Sequence, residues 1–246
     1  MDRGLYVAMT GAKQIMQAQA INNNNIANIS TPGFRADMVS FTSEPIYGPG
    51  YPTRVNAVAG NSGTDFSNGV QMNTGQPLDI AVNGKGFIAV QGADGKEAYT
   101  RAGQLNVTDS GMLVTATGFP VLSESGQVSV PPATSVTIGT DGTVSVVPLG
   151  LSAAAQSQVD RIKLVNPSAA TLVKGPDGLF RTATGAKAPT DETVRVGTGA
   201  IESSNVNSAQ SLVNMIQLQR LYEFQIKSIN STDQNAQNAE RMMVSG

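Results

Sequence analysis

The helix-breaking residues of this 246-residue chain are confined to its middle. All 12 prolines lie between Pro32 and Pro189, and only three of the 26 glycines fall outside residues 33–199. Proline interrupts the hydrogen-bond ladder of a helix, and glycine commonly marks a turn. The two ends of the chain are therefore free to form long helices, whereas the middle must adopt another kind of structure.

Both ends of the chain carry the residue spacing of an amphipathic helix. The first segment has one stripe of positions three or four residues apart, made up of Leu5, Ala8, Ala12, Ile15, Gln19, Asn22, Ile26 and Ile29. The last segment has a similar stripe, made up of Met215, Leu218, Tyr222, Gln225, Ile229, Thr232, Ala236, Ala239 and Met243. This spacing predicts a helix at each end.

The limits of these two helices can also be predicted. The run Ser30-Thr31-Pro32-Gly33 ends the first helix, because proline restricts the residue before it. Ser203 or Ser204 is the predicted N-cap of the second helix, which runs to Met243. Both stripes turn polar along their length, and isolated helices of this kind are marginal in water. We expect the two helices to order against each other or against other chains.

The middle of the chain has the pattern of short β-strands. Alternating or β-branched runs occur at 78–82, 87–90, 112–115, 128–130, 135–138 and 143–147. Turn pairs such as Asn83-Gly84 and Asp141-Gly142 separate them, and these residues tolerate a positive φ angle. One strand about every ten residues predicts a meandering barrel or sandwich. Residues 35–75, which contain three prolines, are predicted to be extended.

The composition excludes several classes of function. The chain has no His and no Cys, which excludes a Ser-His-Asp triad, a cysteine nucleophile and the usual zinc sites. Its 16 Lys and Arg residues against 18 Asp and Glu give a formal charge of −2. We find no basic cluster of the kind that binds nucleic acid, and we expect neither a signal peptide nor a membrane-spanning helix.

Three patterns in the middle of the chain have a possible chemical interpretation. Gly84-Lys85-Gly86-Phe87-Ile88-Ala89 matches a dinucleotide-binding motif, which would suit an oxidoreductase, but the apolar run that follows favours a hairpin turn. Arg101 follows a strand and is predicted to make a surface or interface contact. Four aspartates lie in turns close to a glycine and are predicted to cap the local backbone rather than bind a metal. They are Asp94, Asp109, Asp141 and Asp177.

Three stretches of the sequence match a family pattern when they are taken together. The first runs from Asn25 to Arg35. The second runs from Gly75 to Phe87 and is followed by Tyr99-Thr100-Arg101-Ala102-Gly103 and by residues 109–115. The third consists of residues 204–207, then Met215-Ile216, Gln219-Arg220, Tyr222-Glu223 and Lys227. In this order they resemble the bacterial flagellar rod and hook proteins. The resemblance spans most of the chain, and residues 150–195 are the least diagnostic. The motif positions are Asn25, Ala27, Asn28, Thr31, Gly33, Phe34, Arg35, Asn205, Asn207, Gln219 and Arg220.

The resemblance implies an α+β fold with no catalytic activity, no cofactor and no small-molecule substrate. In this family the two terminal helices form an antiparallel coiled coil, and the central β domain lies outside it. The implied domains are a helical domain of residues 1–31 and 203–246, an extended linking region of residues 32–75 and 185–202, and a β domain of residues 76–184. The implied assembly interface consists of Leu5, Ala12, Ile15, Ile26, Met215, Leu218, Tyr222 and Ile229.

The resemblance also implies a structural role in the flagellar basal body. Subunits of the rod leave the cell through the flagellar type III export system and stack helically on copies of themselves and on other rod proteins. The rod then transmits torque from the motor to the hook across the periplasm. Phe34 and Met38 fit a short pattern proposed to engage the export gate.

Two alternatives stay open beside this interpretation. The start Met1-Asp2-Arg3 and the length of 246 residues favour a proximal rod subunit, and a distal rod subunit is the alternative within the family. The alternative from another class is a secreted β-rich adhesin that oligomerises through its terminal helices. Loss of swimming in a deletion strain would separate a rod subunit from an adhesin.

Overall fold

The computed structural model describes residues 4–45, 47, 55–59, 63–150 and 155–244. The chain divides into two compact units, which we call the helical unit and the β unit. The helical unit consists of Met1–Ile29, Ala36–Asp65 and Val206–Gly246, and the β unit of Ser30–Arg35 and Phe66–Asn205. Each unit is therefore assembled from separate stretches of the sequence.

The described residues of the helical unit form two helices and one β-hairpin. Helix α1 spans Gly4–Ala27 and helix α2 spans Ser208–Val244, so the prediction of a helix at each end is confirmed. The hairpin pairs β1 (Phe41–Pro45) with β2 (Val55–Ala59) in antiparallel register. α1 contacts both α2 and β2. In the described part of the chain, neither helix has the length and apolar character needed to cross a membrane.

One face of α1 is buried, and small residues make up much of it. The buried positions recur every three or four residues and are Ala8, Ala12, Ile15, Ala18, Asn22 and Asn25. Gly11 is also close to α2, since a Cβ atom placed there would lie 3.3 Å from Cδ of Gln225. Asn22 Nδ2 donates a 2.9 Å hydrogen bond to the carbonyl oxygen of Ser211, a buried residue in the first turn of α2.

Helix α2 begins later than the sequence pattern predicts. Its N-cap is Asn207, whose side-chain oxygen accepts a 3.0 Å hydrogen bond from the amide of Gln210. The prediction of Ser203 or Ser204 as the N-cap is wrong. The amide of Ser203 donates to the carbonyl oxygen of Val70 at 2.8 Å, which keeps this stretch in the β unit.

The β unit consists mainly of short strands and includes the 3-10 helix Ala169–Thr171. In chain order the strands are β3 (Gln71–Asn73), β4 (Ile80–Asn83), β5 (Phe87–Gln91), β6 (Glu97–Thr100), β7 (Leu105–Val107), β8 (Leu113–Thr115), β9 (Ala133–Ile138), β10 (Thr143–Pro148), β11 (Ser157–Arg161), β12 (Leu164–Val165), β13 (Leu172–Lys174), β14 (Phe180–Thr182), β15 (Arg195–Thr198) and β16 (Ala200–Glu202).

These strands form several small sheets. Five strands pair in the order β12-β5-β6-β14-β13, and three pair in the order β11-β10-β9. Two-stranded sheets are formed by β15 with β4, β16 with β3 and β7 with β8. No sheet closes on itself within the described residues, so the predicted barrel is wrong. The physical reason is that strands far apart in sequence pair with each other, as β4 does with β15, whereas a meander pairs neighbours.

Most of the predicted strand runs are found in the structure. The runs at 87–90, 135–138 and 143–147 lie in β5, β9 and β10, and those at 78–82 and 112–115 shorten to β4 and β8. The run at 128–130 forms the isolated bridge Met112↔Ser129 instead of a strand. The predicted Asn83-Gly84 turn joins β4 to β5 with φ of 73° at Gly84, a conformation that glycine adopts without steric cost.

The segment after Gly86 is a strand, and this decides between two interpretations of the glycine motif. β5 starts at Phe87, and its side chains from Phe87 to Val90 are buried. The dinucleotide interpretation of Gly84–Ala89 is therefore wrong, because it requires a helix N-terminus that binds the pyrophosphate. The motif belongs to a hairpin of the β unit.

Two clusters of buried side chains form the core of the β unit. The larger cluster includes Ile80, Val82, Ile88, Leu105, Leu113, Val144, Val146, Val194 and Val196. In the smaller cluster the rings of Phe66, Phe87 and Phe180 have centroids 5.4–6.3 Å apart. The distances match the range in which aromatic pairs attract each other.

Candidate functional site

A buried group of three charged side chains lies in the β unit, and we call it the ion cluster. It consists of Arg35, Arg101 and Glu202. Arg35 Nη2 lies 2.7 Å from Glu202 Oε1, and Arg101 Nε lies 2.8 Å from Glu202 Oε2. Each of the three side chains is 1–2% exposed. The cluster joins the first segment of the β unit to its middle and to its last strand.

Backbone groups make further hydrogen bonds to the ion cluster. The amide of Gly69 donates a 2.8 Å bond to Glu202 Oε1. Arg101 Nη1 donates to the carbonyl oxygens of Gly84 and Gly86 at 2.9 and 2.7 Å. Buried charges of this kind are tolerated when their lone pairs and protons find partners. Arg101 therefore also fixes the hairpin between β4 and β5.

The ion cluster carries more positive than negative charge. Burial lowers the pKa of Arg101, while the hydrogen bond and charge of Glu202 raise it and the charge of Arg35 lowers it further. Arg35 Nε and Nη1 are buried and find no hydrogen-bond partner among the described residues. Glu202 is the carboxylate that both arginines contact, so the cluster depends on this residue most.

The backbone packs closely at the place where the chain enters and leaves the β unit. Gly33 has φ of 70°, and a Cβ atom there would lie 2.3 Å from the backbone nitrogen of Ala102. Its amide donates a 2.8 Å bond to the carbonyl oxygen of Glu202. A Cβ atom at Gly69 would lie 2.0 Å from the carbonyl oxygen of Ser203. No side chain fits at either glycine while the ion cluster keeps its geometry.

Two further motif residues hold the same part of the β unit. Lys174 Nζ lies 3.9 Å above the centre of the Phe34 ring and donates a 2.8 Å bond to the carbonyl oxygen of Arg35. The amide of Asn205 donates to the carbonyl oxygen of Phe34 at 3.3 Å, and its side chain bonds the backbone of Ser67. The first and last segments of the β unit are therefore fastened to each other.

Asparagine side chains organise the helical unit in a comparable way. Asn25 Nδ2 donates to the carbonyl oxygen of Asp37 at 2.8 Å, and the amide of Asp37 donates back to Asn25 Oδ1 at 2.9 Å. Asn28 Nδ2 bonds the carbonyl oxygen of Asn24 at 2.9 Å, at the end of α1. Polar side chains buried in a helix seam fix its register. Asn22 and Asn25 are suited to that role in α1.

We expect the N-cap of α2 to contribute measurably to the stability of the helical unit. Asn207→Ala removes the bond to the amide of Gln210 and is expected to cost about 1 kcal/mol. Asn207→Ser keeps a capping oxygen, and its free energy of unfolding is expected to stay within a few tenths of a kcal/mol of that of the parent. Thermal unfolding followed by far-ultraviolet circular dichroism compares the two. Equal losses in both variants would contradict the capping role.

The residues expected at the assembly interface lie on the two helices with different exposure. Ala12 and Ile15 are buried in α1. The half-buried ones are Leu5, Ile26, Met215, Leu218, Tyr222 and Ile229. Of the motif residues on helices, Ala27, Gln219 and Arg220 are exposed. Thr31, which lies in the turn after α1, is half-buried.

A second set of apolar side chains on α2 was not identified from the sequence. These side chains are 47–67% exposed and are Leu212, Val213, Ile216, Leu221 and Phe224. Leu212 and Ile216 are four residues apart, which is the spacing of a second helical stripe. This stripe is hard to recognise in the sequence because polar residues lie between its members.

The ion cluster also departs from the sequence prediction. Arg101 is 2% exposed, so its assignment to a surface or interface contact is wrong. Its position directly after the buried strand β6 carries it into the interior. Glu202 was not identified at all, although a charged residue directly after Ile201 at the end of an apolar strand was an available signal.

Three of the four turn aspartates cap the local backbone, as predicted. Asp94, Asp141 and Asp177 each accept a bond from the amide two residues later. In each case hydrogen bonds lower the carboxyl pKa, from the Lys96 amide at Asp94, from Thr143 at Asp141 and from Arg181 at Asp177. Among the residues that the structure covers, no group of three or more acidic side chains is placed to hold a metal ion.

Comparison with known proteins gives family matches at the start, in the middle and at the end of the chain. Residues 5–35 match the family described as flagella basal body rod protein, and residues 81–146 match the flagellar hook protein FlgE/F/G D1 domain. Residues 198–242 match the C-terminal region of flagellar basal body rod FlgEFG proteins. The first and last of these regions contribute Arg35 and Glu202 to the ion cluster, and Arg101 lies in the D1 match.

Several relatives are similar over almost their whole length. The flagellar basal-body rod protein FlgF of Escherichia coli is 39% identical over 249 residues, covering 99% of both chains. FlgF of Salmonella typhimurium is 36% identical with the same coverage. FlgG of Buchnera aphidicola from Schizaphis graminum is 35% identical over 270 residues, covering 97% of this chain and 98% of its own.

This chain belongs to the flagellar basal-body rod protein family. Within that family it is more like these FlgF proteins than the FlgG protein, which confirms the subtype favoured by its start and length. The family consists of structural proteins that lie in the rod of the flagellar basal body and assemble with other rod subunits.

Proposed function

We propose that the chain is a proximal rod subunit that transmits torque from the flagellar motor to the hook across the periplasm. The observation that carries this proposal is the ion cluster, together with similarity to FlgF proteins over 99% of the chain. A subunit under torque must not separate where the chain enters and leaves its β unit. Arg35 and Glu202 fasten those two points at 2.7 Å.

The helical unit is proposed to form an antiparallel coiled coil. Two contacts support this arrangement, because Asn22 meets Ser211 while Gly11, earlier in α1, meets Gln225, later in α2. The coiled coil would be the rod-forming domain of residues 1–31 and 203–246. Residues 76–184 would be the sandwich-like body of the β domain. Residues 32–75 and 185–202 would lead into and out of it, and β15 of the second of these stretches pairs with β4.

Helical stacking of subunits is proposed to use both helices. The half-buried stripe that contains Met215, Leu218 and Tyr222 would pack within and between subunits. The exposed side chains Ile216 and Phe224 support further contacts, because 53% and 67% of their surface is open to water in the single chain. Such head-to-tail contacts produce an open helical assembly and not a closed ring. The partners would be copies of this chain and other rod subunits.

The chain is further proposed to be a substrate of the flagellar type III export gate. Phe34 and Met38 are the residues that would engage the gate, and Met38 is 52% exposed. The absence of Cys from the sequence suits passage as an unfolded chain, since no disulfide can form on the way.

Leu218→Asp tests the proposed rod function. The variant places a charge in the half-buried stripe of α2, and we expect no rod assembly and no swimming, while the β unit stays folded. Gln217→Asp, at an exposed neighbouring position, is the matched control and is expected to swim normally. Soft-agar motility and electron microscopy of basal bodies measure the outcome. Normal swimming of Leu218→Asp would overturn the proposal.

A further inference from the structure

The last residues of the β unit complete structures that begin much earlier in the chain. We call residues 194–205 the closing segment. Its strand β15 pairs with β4, from Arg195↔Asn83 to Thr198↔Ile80, and its strand β16 pairs with β3. Within the described residues neither β3 nor β4 pairs with any other strand. Two early strands therefore have no partner until the closing segment is in place.

The closing segment also completes the core. Val194 and Val196 are 3% and 0% exposed and belong to the same cluster as Ile80 and Val82. Ile201, which lies in β16 next to Glu202, is 9% exposed. A β unit without these side chains would expose apolar surface of β4, a strand in which Ile80, Ala81 and Val82 are all buried.

The charge of the ion cluster depends on the same segment. Glu202 bonds Arg101, 101 residues earlier, and Arg35, 167 residues earlier. Its carbonyl oxygen accepts from Gly33 and its carboxylate from Gly69. If the preceding chain folded before Glu202 reached its place in β16, two guanidinium groups would be buried without the carboxylate that both contact. Such burial is strongly unfavourable.

We propose that the closing segment is a conformational device that delays folding of the β unit until nearly the whole chain is available. Contacts between residues so far apart in sequence form only after a long loop has closed. Closing that loop costs conformational entropy before the contacts contribute any stabilisation. Docking of the closing segment therefore belongs to the rate-limiting step of folding. The inference deepens the proposed function, on which its benefit rests, because a chain that is exported unfolded must not fold early.

Folding kinetics of the purified full-length chain test this inference. Folding and unfolding rates are measured by rapid dilution out of and into urea, with circular dichroism as the signal. Val196→Ala and Glu202→Gln alter the closing segment, and Val146→Ala in β10 is the matched control in the same core cluster, with 1% exposure. We expect Val196→Ala to fold about tenfold more slowly and Glu202→Gln to fold at least about a hundredfold more slowly, with unfolding of both variants changed less than about twofold. Val146→Ala is expected to act mainly on unfolding.

The opposite pattern would overturn the inference. If Val196→Ala and Glu202→Gln accelerate unfolding and leave the folding rate unchanged, the rest of the β unit folds first and the closing segment docks late. Val196→Ala alone decides the matter if Glu202→Gln is too unstable to refold. The folding measurement needs neither rod assembly nor an export system. Normal swimming of Leu218→Asp would therefore contradict the proposed rod function without changing the measured folding rates.

Discussion

Glu202→Gln is expected to lower the free energy of unfolding of the β unit by about 3–5 kcal/mol. The variant leaves the guanidinium groups of Arg35 and Arg101 buried without their common carboxylate. Domains are usually stable by only about 5–15 kcal/mol, so the variant would be close to unfolding at room temperature. Urea unfolding followed by near-ultraviolet circular dichroism of Tyr99, which is 1% exposed, measures the loss.

Two further variants show whether the loss comes from the ion cluster. Glu124→Gln makes the same chemical change at an exposed position and is expected to stay within about 0.5 kcal/mol of the parent. Arg35→Met removes the arginine whose Nε and Nη1 have no described partner and leaves one arginine facing one glutamate. It is expected to cost less than Glu202→Gln. Equal stability of Glu202→Gln and Glu124→Gln would refute the role assigned to the cluster.

Gly33→Ala is expected to be the most damaging single-methyl change in the first family motif. An L-residue in the left-handed region costs about 1–2 kcal/mol by itself. At Gly33 the added Cβ would also lie 2.3 Å from backbone atoms of Arg101 and Ala102, and these cannot retreat without disturbing the ion cluster. We expect a total loss of about 4 kcal/mol or more and no swimming.

Gly75→Ala is the matched control for Gly33→Ala. Its φ of 69° is nearly the same as the 70° of Gly33, but a Cβ atom there meets nothing within 4 Å. Gly75→Ala therefore has only the conformational cost of about 1–2 kcal/mol. Cells that carry this variant are expected to swim. Urea unfolding and soft-agar motility measure both variants. Equal destabilisation of the two would show that crowding at Gly33 has no effect.

Local features of this fold could be predicted from the sequence. The confinement of proline to the middle indicated α1 and α2, and the Asn83-Gly84 pair indicated the turn between β4 and β5. Both signals act over a few residues, through backbone sterics and turn geometry. The family motifs likewise indicated Gly33 and Arg35 before their contacts were known.

Features that depend on distant residues could not be predicted in the same way. The partner of β4 is β15, and nothing in the alternation of residues 78–82 specifies a strand more than one hundred residues later. Arg101 was misplaced for the same reason, since its burial depends on Glu202, 101 residues away. The N-cap of α2 was misplaced because Ser203 pairs with Val70 in the β unit. Tertiary pairing overrode the local preference in each case.

The 3.1 Å bond between the Asn205 side chain and the Ser67 carbonyl oxygen has a consequence for how such proteins diversify. The long stretch of the β unit, Phe66–Asn205, begins and ends at almost one point, as inserted domains do. A short linker could span that point, so this stretch can be removed, enlarged or exchanged as a cassette without stretching the chain on either side. The terminal helices and the β unit are therefore free to evolve at different rates.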